Sequence, residues 1–144
     1  MMRTRLAILL LPALAACASA TDSGSDPVEP EGTVVDARIG QTFRLRAGSS
    51  ARFDNGVVVF FRGVTDDSRC PTDVRCVWTG DATLHLRAAT RDSDAWTALT
   101  LHTDVLPHSG EFNGRTLTVV DLAPRPIAGQ RLGTGDYVAV LRVD

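Results

Sequence analysis

The sequence predicts an all-β domain, an antiparallel β-sandwich of seven or eight short strands, with a closed barrel as the alternative. Apolar and polar residues alternate with a period of two nearly everywhere after residue 32, and turn signals separate these runs. No window beyond the N-terminal segment has the i, i+3, i+4, i+7 spacing of an amphipathic helix. Strands of unequal length, interrupted by long loops at 65–77 and 103–113, favour the sandwich over the barrel.

The predicted strands are of two kinds. Residues 42–46 and 83–88 alternate strictly, which is typical of strands with one face in solvent. Residues 57–64 form a continuous apolar run, as residues 117–122 do in part, and such runs favour central strands covered on both faces. Residues 137–143 place alternate apolar side chains on one side and are predicted to form the last strand.

Turn signals divide these strands in an order compatible with an immunoglobulin-like sandwich. The strongest is Asp54-Asn55-Gly56, because Asn-Gly supplies the positive φ angles that a tight hairpin turn requires. The others are 47–49, 91–93, 112–114 and 133–136.

The N-terminus has the pattern of a cleaved export signal. Arginines at positions 3 and 5 precede an apolar stretch from Leu6 to Ala16, which ends in small residues. A permanent membrane span needs about 20 apolar residues, so this stretch is too short to be one. An ordinary secretory signal ending at 18–20 is the alternative to the more specific pattern at Cys17.

Leu14-Ala15-Ala16-Cys17 resembles the lipobox of bacterial lipoproteins. The resemblance implies that Cys17 is lipidated and becomes the new N-terminus, and two or more acyl chains hold a protein stably on a membrane. It places the protein in the cell envelope, lipid-anchored and extracytoplasmic. Ala18 after the cysteine favours the outer membrane where there are two membranes.

Composition divides the chain into three parts: a lipoprotein signal peptide at 1–16, a lipidated cysteine and flexible acidic linker at 17–32, and the β-sandwich domain at 33–144. The linker is rich in Ser, Gly, Pro and acidic residues. The domain carries equal numbers of acidic residues and arginines, and the chain contains no lysine. This balance gives no basic patch for phosphates, so no nucleic-acid partner is expected.

Two of the three cysteines, Cys70 and Cys76, lie in the first long loop. Cysteines this close together in an exported chain are expected to form a disulfide, and assigning Cys17 to the lipid leaves an even number. By the loop-closure relation, so short a bridge stabilises the fold by about 2 kcal/mol.

The same loop carries Asp67-Ser68-Arg69-Cys70-Pro71 followed by Cys76-Val77-Trp78-Thr79-Gly80. This resembles an uncharacterised family of small bacterial envelope lipoproteins, which carry D-S-R-C-P and C-x-W-x-G motifs in a β-rich chain. The similarity covers the lipobox, these two stretches and, loosely, residues 137–143. An asparagine often follows the glycine in that family, whereas this chain has Asp81. The resemblance implies an envelope location and no particular activity.

Two interpretations of this loop follow. In the first, it is a disulfide-stabilised corner in which Trp78 shares a strand face with the cysteine and glycine two residues away and packs into the core. In the second, it is a possible binding loop in which Asp67, Arg69, Arg75 and Trp78 form a recognition surface. We expect the first, with Trp78 buried.

The chain carries no ordinary metal-binding pattern. Cys70 and Cys76 with His85, His102 or His108 could supply four zinc ligands, but the spacing matches no ordinary zinc pattern and oxidation competes for the thiols. Calcium could be held by backbone carbonyls and the aspartates at 66, 67, 73 and 81, but these do not follow EF-hand spacing and are predicted to form a solvated loop. No metal or cofactor is therefore expected.

No catalytic residue is predicted either. His85 and His102 occupy outward strand positions, and His108 lies in a loop beside Ser109 without a nucleophile signature. The sequence thus predicts a non-catalytic, membrane-tethered binding or structural module of the envelope, whose partner is a protein or glycan. The alternative is a sandwich similar to chagasin-like protease inhibitors, although their loop motif is missing, and a hydrolase is less favoured.

Overall fold

A computed structural model describes residues 32–91, 93 and 95–144. The predicted signal peptide, Cys17 and nearly all of the predicted linker lie outside the described residues. The described part contains nine strands and one 3-10 turn. They are β1 Val34–Ala37, β2 Thr42–Arg46, β3 Ser49–Phe53, β4 Val57–Asp67, β5 Ala82–Thr90, β6 Thr97–His102, β7 Ser109–Phe112, β8 Arg115–Ala123, the 3-10 turn Thr134–Asp136 and β9 Val138–Val143.

The strands form two sheets, in the orders β1-β3-β4-β5-β6 and β2-β9-β8-β7. All neighbours pair antiparallel except β1 and β3, which are parallel. The predicted all-β sandwich is confirmed, and the sheets remain separate instead of closing into a barrel. The count exceeds seven or eight because β1 and β7 have only four residues each, too few to show a clear period.

The two predicted long loops have different bounds in the structure. Strand β4 continues to Asp67, so the first loop begins at Ser68 and extends to Asp81. Strand β7 lies inside the predicted loop 103–113 and shortens it to 103–108.

The core lies between the inner faces of the sheets. Strand β5 buries every second residue, and β9 does the same, as their periodicity predicts. Strand β4 is central, but Val58 and Phe60 on its outer face are only half-buried, so the expected cover on both faces is absent there. The largest fully buried side chains of the core are Phe61, Leu45, Leu84, Leu86, Leu101, Leu117, Leu122, Leu141, Val57, Val59 and Val143.

The predicted β3–β4 hairpin is confirmed, with Gly56 N donating to Phe53 O at 2.9 Å. Gly56 has a φ of 82°, whereas Asn55 keeps a negative φ, so this is a three-residue loop. The tight two-residue turn is the one between β7 and β8, where Asn113 and Gly114 have φ angles of 46° and 73°.

The strand directions bring three connections to one end of the sandwich. They are the β4–β5 loop at 68–81, the β6–β7 loop at 103–108 and the β8–β9 loop at 124–137. We call this the three-loop end. The β3–β4, β5–β6 and β7–β8 turns and Asp144 lie at the opposite end.

Candidate functional site

A buried ion pair joins the start of the β4–β5 loop to the interior of the three-loop end. Asp67 is the last residue of β4 and faces inward, opposite Ala82. Arg69 donates to it from Nε at 2.8 Å and from Nη2 at 2.7 Å, and the Arg69 side chain is only 1% exposed. Tyr137 Oη adds a third hydrogen bond at 3.2 Å. The interaction is therefore a bidentate pair, the strongest geometry available to arginine and a carboxylate.

The charges of this pair change the titration of its members. Burial alone would raise the pKa of Asp67, but hydrogen bonds and charge from Arg69 outweigh it and lower that pKa below its usual value. Burial and the Asp67 carboxylate raise the pKa of Tyr137. Asp67 is thus an anion at neutral pH, and Tyr137 remains a hydrogen-bond donor.

Arg69 also holds the end of β8. Its Nη1 donates to the carbonyl of Leu122, and its Nη2 donates to Pro124 O at 2.9 Å. These bonds connect the first loop to the third. The second interpretation of the sequence placed Arg69 on a recognition surface, but Arg69 is 3% exposed and serves inside the fold.

The predicted disulfide between Cys70 and Cys76 is confirmed, with Cα atoms 5.9 Å apart. It closes a segment that is itself attached to the third loop. Thr72 N donates to Pro126 O at 3.0 Å, and Asp73 Oδ1 accepts from Ala128 N at 2.8 Å. The disulfide bridge thus constrains a segment whose backbone is already paired to a neighbour.

Asp81 connects the first loop to the second. Its Oδ1 accepts from the backbone N–H of Thr103 at 3.0 Å and of Asp104 at 2.9 Å. Its Oδ2 lies 2.7 Å from Nδ1 of His102. Burial opposes the charge, but hydrogen bonds from Asp104 and His102 outweigh it and lower the pKa of Asp81 to about 2.

Large apolar side chains are exposed at the three-loop end, among exposed charged residues that include Arg75, Asp104 and Arg125. Of the nine large apolar side chains classed as exposed in the part of the chain that the structure describes, six lie on these loops. They are Val77 at 93%, Leu106 at 80%, Trp78 at 77%, Val105 at 49%, Ile127 at 48% and Val74 at 45% exposed. Single exposed apolar residues are ordinary, but six of them on three adjacent loops make this end a candidate interaction site.

The exposure of Trp78 corrects the expectation that it packs into the core. That expectation placed residues 76–80 on a strand, but the segment is irregular and β5 begins only at Ala82. Gly80 has a φ of 72°, and a Cβ there would collide with the Ser68 carbonyl, so the chain bends sharply. Residues 76–80 therefore share no strand face, and Trp78 is exposed, as is Arg75.

His102 and Asp81 resemble part of a catalytic arrangement, but no nucleophile completes it among the contacts found in the described residues. The nearby hydroxyl, Thr83 Oγ1, lies 3.5 Å from the same Nδ1 that faces Asp81. His108 Nδ1 instead lies 3.2 Å from the His102 carbonyl, and thereby fixes the second loop. The pair acts as a structural connection.

The zinc alternative that the sequence raised depends on the thiols of Cys70 and Cys76. The disulfide occupies both thiols that the zinc alternative required. Residues 32–91, 93 and 95–144 contain no group of three or more His, Cys, Asp or Glu side chains arranged to hold a metal ion. Over the same residues, the structure has no helix with the length and hydropathy of a membrane span.

A groove of about 440 Å³ lies beside β4, near the turn at Thr134. His85 lines it, with Nε2 2.9 Å from Thr65 Oγ1 and Nδ1 3.4 Å from Thr100 Oγ1. Both ring nitrogens therefore have threonine neighbours on the outer sheet face. The outward position predicted for His85 is confirmed.

Sequence patterns identified the disulfide and the loop, but missed the residues that connect the loops. Asp81, His102 and Tyr137 are far apart in the chain, and only the sheet register brings them to the three-loop end. One signal was available for the second loop: Val105-Leu106 is an apolar pair between turn residues. No family model, curated protein or solved structure was found to match the chain.

Proposed function

We propose that the protein is a lipid-anchored, non-catalytic module of the bacterial cell envelope that binds through its three-loop end. The observation that carries the proposal is the exposure of Trp78 and Leu106 on neighbouring loops that Asp81 joins. Tryptophan is the residue type most enriched among those that dominate interface energies. A rigid support lowers the entropy that binding costs.

The rigidity has three sources. The disulfide closes the first loop, Arg69 and Asp67 attach it to the third, and Asp81 attaches it to the second. A loop held in this way presents the same side chains before and after binding, which suits a binding module. The lipobox at Cys17 supplies the proposed anchor and the envelope location.

The proposal is tested by photocrosslinking in intact cells. A photoreactive amino acid replaces Leu106 in the full chain, and in a matched control it replaces Trp96, which is also exposed but lies between β5 and β6 at the opposite end. We expect an adduct with an envelope component from position 106 only. Equal labelling from both positions would contradict a binding surface at the three-loop end.

Protease inhibition is a second candidate, favoured by the three adjacent loops with projecting apolar side chains. Such loops can enter the cleft of an enzyme as a wedge. Titration of residues 32–144 against proteases of the main mechanistic classes tests it, with Trp78→Ala as the variant expected to lose potency. Unchanged inhibition by that variant would exclude a wedge built on Trp78.

A further inference from the structure

The shape of the three-loop end restricts what can bind it. Val77, Trp78 and Leu106 are each more than three-quarters exposed, so they project from the surface. Projecting side chains need a partner that accommodates them, either a cleft or a fluid apolar medium. Tryptophan is enriched at membrane interfaces, where its ring contacts apolar groups while its N–H stays hydrated.

Several polar groups at this end are directed into the protein, whereas Arg75, Asp104, Arg125 and Arg131 on the same loops are exposed. The carboxylates of Asp67, Asp73 and Asp81 accept hydrogen bonds from side chains or backbone of the fold. The guanidinium of Arg69 donates to Asp67 and to two carbonyls. The contacts left to the apolar side chains are therefore weakly directional. This suits a lipid interface better than a glycan, whose hydroxyls require oriented hydrogen-bond partners.

The start of the described chain is directed toward the same end. Strand β1 is parallel to β3, and β3 is antiparallel to β4, so the chain before Val34 leads toward the three-loop end. Ser49 pairs with Phe61, and β4 continues from there to Asp67, about 20 Å further on. A random coil as long as the predicted linker at 17–32 has a root-mean-square length of roughly 20 Å. The anchor and the apolar loops can thus meet one surface without the chain turning back.

We propose that the three-loop end lies in the headgroup region of the bilayer that carries the chain's own lipid anchor, with Val77, Trp78 and Leu106 at the acyl boundary. This deepens the proposed function and rests on its lipid anchor. The anchor holds the loops at a high local concentration near the lipid, so the loops need little affinity of their own. Their contact fixes which side of the domain faces the membrane.

The test separates loop insertion from lipidation by supplying an artificial anchor. The protein used is residues 32–144, which contain both sheets and the core between them. A polyhistidine tag attaches it to vesicles that contain a nickel-chelating lipid and lipids with brominated acyl chains. Trp96→Phe leaves Trp78 as the only tryptophan. One version carries the tag before Gly32 and the other carries it after Asp144, at the opposite end.

With the N-terminal tag, we expect Trp78 emission to be quenched and to move to shorter wavelength. With the C-terminal tag, we expect neither change. The control Trp78→Phe, which reports Trp96 alone, should show no quenching with the N-terminal tag. Because Trp78 is exposed, its replacement should change the melting temperature by no more than about 3 °C.

Equal Trp78 emission from the two tagged proteins, quenched or not, would overturn the proposal once flotation shows that both are vesicle-bound. A protein adduct from position 106 together with unquenched Trp78 would assign the surface to a protein partner. Neither result depends on Cys17, so a failure here is distinct from a failure of lipidation.

Discussion

At the scale of the residue, the contacts of Arg69 give the Asp67–Pro71 motif a structural role. Only the second interpretation of the loop placed it on a recognition surface, and it is in fact buried and contacts Asp67, Leu122 and Pro124. Sequence could not reveal this, because its carbonyl partners belong to β8 and the residue that follows it, more than fifty positions away. The local part was predictable: Asp67 accepts a hydrogen bond from Arg69 N at 3.2 Å.

Arg69→Met is expected to destabilise the domain by about 3 kcal/mol, because it leaves the Asp67 carboxylate buried without its partner. Chemical denaturation of residues 32–144 measures the loss. Arg75→Met is the matched control, since Arg75 is exposed in the same loop and should change stability by about 0.5 kcal/mol or less. Equal effects of the two variants would show that the Arg69 pair is not important for stability.

The lowered pKa of Asp81 should make the stability of the domain depend on pH. Its pKa falls from 3.8 to about 2 on folding, so the unfolded chain binds the proton more tightly. The charge therefore contributes about 2 kcal/mol above pH 4, and this contribution is lost as the pH falls from about 4 to 2. At pH 7 the free energy of unfolding of Asp81→Asn should be about 2 kcal/mol below that of the parent, and this difference should disappear below pH 2. A gap independent of pH in denaturation experiments would contradict this.

At the scale of the element, the strands were more predictable than the loops. Strands β5 and β9 follow an alternating pattern that depends only on which face is buried, and that pattern is local. The loop at 68–81 has no such pattern, and applying strand alternation to it misplaced Trp78. The disulfide was predictable because chemistry and compartment, not geometry, indicated it.

Removing the disulfide should weaken the loop more than the sheets. Replacing Cys70 and Cys76 by serine is expected to cost about 2 kcal/mol and to leave the strands intact. Amide hydrogen exchange should rise most at 68–81, while amides of β5 and β9 that exchange only by global unfolding should speed up by no more than the stability loss allows, about thirtyfold. A larger increase in β5 and β9 than in the loop would mean that the bridge supports the sheets and not the loop.

At the scale of the whole molecule, we propose a lipid tether attached to a sandwich whose three-loop end carries exposed apolar side chains. The tether is the part that rests on sequence alone. Cys17→Ser should abolish fatty-acid labelling and release the protein from the membrane fraction. Persistent labelling of that variant would exclude Cys17 as the lipid attachment site, while its presence in the membrane fraction without label would point to another means of attachment.

We propose that the three-loop end is the surface of this protein that the membrane covers in the envelope. Hydroxyl-radical footprinting of the full chain compares oxidation of Trp78 and Trp96, 77% and 44% exposed, in intact membranes and in the detergent-free domain. We expect Trp78 to be protected in membranes and oxidised in the isolated domain, and Trp96 to be oxidised in both. Equal oxidation of Trp78 in the two states would contradict it.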